Sequence, residues 1–244
     1  MMFESLSAAG IWTAYKPFII AFAVMVVLAF VLLQLLVRTR HNAEAELEKL
    51  FRTDTDLYLE RLENNRLLGM IFRKPILLLF KFDGYLKTGE DERIRELIKE
   101  LDAMKLEPRD KVEYYQKRMS FFVSAGEADE ARWSLDKLSD FIRSVKADEV
   151  EQYRAIISEG QEIVRVYLDR DVSYMGELIR KAEKTEHPIL RGVMYFRLAK
   201  LAHFKGDAPE RERYLKLAAK TLSGTDYEEI IRQALQAPEI LEQK

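Results

Sequence analysis

Cysteine is absent from the 244 residues. That excludes disulfides, Cys-ligated zinc and thiol nucleophiles, and it fits either side of a membrane. Glycine and proline are scarce, at ten and six residues, too few for a protein built of strands and tight turns. An excess of one charge is missing as well: 39 Lys and Arg stand against 41 Asp and Glu, so nothing points to nucleic acid as a partner. Only three histidines occur, His41, His187 and His203, and no two sit at ligand spacing. Glu183 and His187 are one turn apart, but Pro188 follows and marks a helix end. A glycine-rich phosphate loop is lacking, because Gly84-Tyr85-Leu86-Lys87-Thr88 does not carry the required glycine spacing. The acidic pairs Asp54/Asp56 and Asp129/Glu130 fall in turns or first helical turns, where they complement the helix dipole. The expectation is a protein with no catalytic residues, no metal site, no cofactor and no evident small-molecule substrate.

What is abundant is apolar helix. Phe18 to Val37 is apolar except for Gln34, and at about 1.5 Å per residue it reaches roughly 30 Å, the thickness of a bilayer's hydrocarbon core. The run is longer than a signal-peptide core and no small-x-small cleavage site precedes Arg38. It therefore reads as an uncleaved, single-pass anchor in the cell membrane behind a short tail, residues 1–17. Flanking charge sets its orientation: Lys16 stands before it, while Arg38, Arg40, Lys49 and Arg52 follow. Retention of Lys and Arg on the cytoplasmic side then places the carboxyl-terminal portion in the cytoplasm.

Residues 38–74 read as juxtamembrane helices. Asn42 is a candidate cap for a helix carrying Leu47, Leu50 and Phe51, a break is expected at Thr53 to Thr55, and a second helix from about Asp56 carries Leu59 and Leu62. The stretch LLGMIFRKPILLLFKF, residues 67 to 82, is apolar but short, and holds Arg73, Lys74, Lys81 and Pro75. A helix boundary followed by a buried helix opened by Pro75 is the preferred reading. A contact with lipid headgroups is the alternative, since basic amphipathic helices bind that way.

Four later segments share one layout of apolar helix, short turn and second helix: YLKTGEDERIRELIKEL from Tyr85, FFVSAGEADEARWSLDKL from Phe121, VYLDRDVSYMGELIRKA from Val166 and AHFKGDAPERERYLKLA from Ala202. Aligned on Gly89, Gly126, Arg170 and Gly206, they are separated by 37, 44 and 36 residues. Such periods belong to helix-hairpin arrays. The second segment, with Gly126, Ala131, Leu135 and Leu138 following Tyr115 and Phe122, resembles the tetratricopeptide repeat family. The first offers Gly89, Ile94, Ile98 and Leu101, then Pro108; the fourth offers Gly206, Leu215 and Ala218 but Arg211 in a small-residue position. The third has Arg170 in place of glycine, then Met175, Ile179 and Ala182. The resemblance implies an all-α protein in which one transmembrane helix is followed by a right-handed α-solenoid of about four repeats over residues 75–225. The gap before the third repeat extends its first helix back to near Asp148, and residues 226–244 supply a capping helix and tail.

The same resemblance implies a protein or peptide ligand on the concave face formed by the first helices. The family's groove positions fall on Gln116, Ser120 and Val123 in the second repeat and on Phe196, Lys200 and His203 in the fourth. The sequence thus favours a membrane-anchored protein-protein interaction scaffold or adaptor. Two further classes stay open: an extracytoplasmic chaperone or assembly factor for secreted or envelope proteins, and a structural protein that forms homo-oligomers.

Overall fold

The computed structural model describes residues 8–144 and 147–242, and among these there are twelve α-helices and no strand. Contacts gather the chain into two compact units that divide between Met104 and Lys105.

In the first unit, α1 (Ala8–Thr53) is a single helix of 46 residues. It does not restart at Asn42, because Ala43, Glu44, Ala45, Glu46 and Leu47 are sound helix formers and nothing there competes with the backbone ladder. One stretch of α1 is long and apolar enough to cross a membrane, and no part of that window is buried against protein. The expected break comes after Thr53. The Asp54 side chain accepts from the Leu57 amide at 3.0 Å and caps α2 (Thr55–Asn64). The short α3 (Arg66–Ile71) is capped in the same manner by Asn65. Pro75 sits in the first turn of α4 (Lys74–Thr88), and α5 (Asp91–Asp102) returns against it. Leu59, Leu62, Leu79, Phe82, Ile94 and Leu101 are among the buried side chains. Gly84 lets α4 approach α2, since a Cβ there would lie 2.4 Å from Leu59 Cδ2.

The second unit holds α6 (Pro108–Ala125), α7 (Ala128–Arg143), α8 (Ala147–Ile163), α9 (Met175–Lys184), α10 (Pro188–Lys205), α11 (Ala208–Thr221) and α12 (Tyr227–Gln236). Helices α6 and α7 form one tight hairpin, and α10 and α11 another. The third is different. Helix α8 continues into a π-helical turn, Val164–Leu168, and a 3₁₀ turn, Val172–Tyr174, leads into α9. Backbone packing brings α8 onto α7 and α9 onto α10. A last 3₁₀ segment, Pro238–Glu242, which sequence periodicity does not announce, folds back on α10 and buries Leu241.

The four aligned turn positions share a backbone state. Gly89, Gly126 and Gly206 have φ of 73°, 77° and 78°, and Arg170 has 53°. At each glycine the amide just beyond reaches back five residues to a carbonyl: Glu90 to Tyr85, Glu127 to Phe122 and Asp207 to Ala202, at 3.0, 2.9 and 2.9 Å. At Arg170 the corresponding bond, Asp171 to Arg165 at 2.9 Å, spans six. The π turn is this extra residue, accommodated inside the helix.

Candidate functional site

The densest polar construction lies where α8, the π turn, α9 and α10 meet. Glu162, 4% exposed, projects from the last turn of α8 into this junction. Its Oε1 accepts from Arg197 Nη1 on α10, and its Oε2 accepts from Lys181 Nζ on α9 at 2.9 Å and from the Tyr174 hydroxyl at 3.2 Å. Lys181 also donates to the Tyr174 hydroxyl at 2.7 Å. Arg197, 7% exposed, reaches Glu159 at 3.5 Å with its other terminal nitrogen. Around this core, Arg165 binds Asp171 through two nitrogens at 3.0 and 2.8 Å and stacks its guanidinium 4.2 Å from the centre of the Tyr174 ring.

Burial by itself would push the Glu162 carboxyl upward, but the bonds and charges of Lys181 and Arg197 outweigh it and hold the pKa below the ordinary glutamate value. For Lys181 burial acts downward, and the bonds to Tyr174 and Glu162 overcome it to raise its pKa. Tyr167, on the π turn, is pushed up to about 12, mainly by burial and against the pull of Arg197. A carboxylate kept ionised by two cations and accepting from three donors is a poor proton acceptor. What it can do is fix three helices in one arrangement.

Lys200, one turn along α10 from Arg197, is 3% exposed. Its ammonium lies 4.9 Å from the Tyr167 ring centre and 5.9 Å from that of Phe204, while the Arg170 guanidinium covers Phe204 at 4.5 Å. Burial, then the Arg170 charge, lower the Lys200 pKa to about 8.

Two cavities border α8. One of about 310 Å³ opens beside Glu162 and is lined also by Gln161, Arg165, Tyr174 and Glu177. The other, of about 180 Å³, lies between the first helices α6 and α8 and is lined by Gln116 and Ser120 together with Met119, Glu159 and Gly160. Two of the groove positions expected from sequence therefore share a cavity. Val123, on the same helix, is buried. The three expected on α10 are covered by the chain itself: Phe196 is in the core with its ring 5.7 Å from that of Tyr227, Lys200 is enclosed as described, and His203 meets Glu242 at 3.3 Å.

Sequence reasoning did not find Glu162, Lys181 or Arg197. The available signal was weak: a charge at a position on a first helix where the apolar spacing calls for a core residue. Among the described residues no group of three or more His, Asp or Glu could hold a metal ion. No family model, curated protein or solved structure matches the chain.

Proposed function

We propose that this protein is a membrane-anchored scaffold that holds a protein or peptide partner on a tetratricopeptide-like array of helical hairpins, with the carboxyl-terminal portion in the cytoplasm. The observation that carries the reading is a pairing on one chain. An apolar helix with none of its membrane-length window packed against protein is followed by hairpins whose first helices α6 and α8 leave an open cavity between them. The shared left-handed turns at Gly89, Gly126, Arg170 and Gly206 support the repeat register. Arg38 and Arg40 support the sidedness. Tethering raises the local concentration of whatever binds, so that a shallow site of this size suffices.

The covering of Phe196 and His203 by α12 and the final 3₁₀ segment moves the contact to the α6–α8 side, at Gln116 and Ser120. A photo-cross-linking residue at Ser120 of the full chain in its native membrane is expected to give one discrete adduct with another protein, and the same residue at exposed Asp136 on α7 is expected not to. Equal adducts at both positions, or none at Ser120, would reject the site. Sidedness is read from Arg143→Cys: a membrane-impermeant maleimide added outside intact cells leaves a cytoplasmic cysteine unlabelled, and labelling would favour the extracytoplasmic chaperone instead.

A further inference from the structure

Outside α1, the first unit carries its most exposed apolar side chains on the short helix α3. Met70 is 82% exposed and Leu67 64%, the two highest values among the large apolar side chains of the described residues. Water is an unfavourable neighbour for such a pair.

Their place along α1 is informative. Beyond Thr53 the chain turns back and climbs the helix it has just left: Tyr58 packs edge-on to Phe51 at 5.3 Å, Arg61 pairs with Glu46 at 3.0 Å, and the Phe72 ring lies 5.5 Å from the Arg40 guanidinium. Helix α3, ending beside Phe72, thus packs against α1 near Arg40. Helix α4 then leads away, with the Lys87 ammonium 4.6 Å from the Phe51 ring centre. Arg40 stands three residues past Val37, where the apolar run ends, a distance of about 4.5 Å along the axis. The polar layer on each side of a bilayer's hydrocarbon core is about 5–8 Å deep.

We propose that α3 lies in the headgroup layer of the membrane that α1 crosses, with Leu67 and Met70 inserted at the boundary of the acyl chains. The inference rests on the reading of α1 as a membrane span. Its partner is phospholipid, and charge supports this: Arg38, Arg40 and Arg66 are exposed on the same end of the unit, and Arg73 and Lys74 follow directly after α3. Arg40 also pairs with Glu44, and Lys74 with Glu100, through exposed bonds that compete weakly with anionic headgroups. Apolar side chains flanked by basic ones are what interfacial binding needs. One rigid helix and a second contact point would then fix the orientation of the first unit on the membrane, where a flexible tether would leave it free.

The absence of cysteine makes the test direct. Gly69 lies between the two apolar residues, and a Cβ built there meets nothing within 4 Å. Nitroxide labels are placed one at a time at Gly69→Cys, Leu28→Cys and Thr53→Cys in the full chain, reconstituted in vesicles of phosphatidylcholine and phosphatidylglycerol. Collision with oxygen, relative to a water-soluble nickel complex, reports depth. The ratio at Gly69 is expected to lie between the high value at Leu28 and the low value at Thr53, and to fall without reaching the Thr53 value when Leu67→Ser and Met70→Ser are added, because packing on α1 still holds α3 near Arg40. A high ratio at Leu28 with equal ratios at Gly69 and Thr53 overturns the interfacial contact and leaves the span intact. A low ratio at Leu28 overturns the span itself. Shielding of Gly69 from both reagents means that protein, a second copy or another chain, covers α3, and overturns the proposal as well.

Discussion

Replacing Glu162 by glutamine is the sharpest test of the buried junction. The change keeps the shape and one acceptor oxygen, but it removes a charge that touches both Arg197 and Lys181 and turns an amide donor toward donors. Breaking a buried pair by deleting one partner costs about 3–5 kcal/mol, because the other charge stays buried without compensation. Here Glu159 lies 3.5 Å from Arg197, and Glu177 lies 3.5 Å from Lys181. These two carboxylates take over part of the role, so the lower end of the range, about 3 kcal/mol, is expected. Replacing Glu162 and Arg197 together by methionine should cost less than either single change implies, giving a coupling of about 1–3 kcal/mol. Urea unfolding of the full chain in detergent measures this, with Trp133 on α7 as the reporter after Trp12→Phe. The pH dependence supplies a second reading. A glutamate whose folded pKa is depressed contributes stability above its unfolded value, and that contribution is lost as pH falls through the folded value. The wild type should therefore weaken progressively below about pH 4.5, and Glu162→Gln should remove part of that acid slope. A cost below about 1 kcal/mol with an unchanged acid limb would refute the reasoning.

Lys200 supplies a test of opposite sign. Its folded pKa of about 8 lies below its ordinary 10.5, so the unfolded chain binds more protons between those values and stability rises with pH across that window. Lys200→Met should abolish that rise, because the group whose pKa the fold lowers is gone. Denaturant titrations of both proteins at pH 7 and pH 10 check this, and an undiminished rise in the variant would contradict it. Arg170→Gly should change stability by no more than about 1 kcal/mol, because relief of the left-handed conformation is offset by a more flexible unfolded chain and by loss of the Phe204 contact. It should nevertheless raise the Lys200 pKa, visible as a shift of the pH-stability curve toward alkali. Gly192→Ala, on α10, would place a Cβ 2.5 Å from Thr221 Oγ1 and 2.6 Å from Leu222 Cγ. The helix-propensity gain of about 1 kcal/mol is smaller than an overpacking cost of about 1–3 kcal/mol, so thermal unfolding should come at lower temperature.

The sequence carried the helical class, the break at Thr53 to Thr55, the opening of α4 at Pro75, the start of α8 near Asp148 and the last helix at Tyr227–Gln236, because each has a local signal in apolar spacing, caps or proline. It did not carry the continuity of α1 through Asn42. A capping residue is a signal only where the backbone stops needing it inside a helix, and the surrounding Ala, Glu and Leu give no such reason. The candidate contact residues were legible only in part. Position relative to a turn places a residue on a helix face, yet it says nothing about what else packs on that face. Gln116 and Ser120 border a cavity, whereas Phe196 and His203 meet Tyr227 and Glu242, contributed by segments that follow at least twenty residues later in the chain. The buried ionic junction was invisible for a related reason: Glu162, Lys181 and Arg197 are nineteen and sixteen residues apart and have no shared pattern until the fold brings them together.

The junction and the irregular third hairpin adjoin. An added residue in the first helix is absorbed as a π turn, the reach-back bond lengthens from five residues to six, and an arginine occupies the conformation that glycine takes elsewhere. Helix α9 then packs its backbone on α10 instead of on α8, and a cavity opens beside Glu162. Apolar packing is non-directional and would allow the splayed helices to slide. A carboxylate that must meet a guanidinium on α10 and an ammonium on α9 allows one alignment only, and charged groups at that depth are tolerated because each finds a partner. On this account the ionic cluster contributes little net stability relative to a well-packed apolar substitute and fixes geometry instead. The double replacement of Glu162 and Arg197 by methionine is informative for that reason: it separates the cost of breaking the cluster from the value of having it.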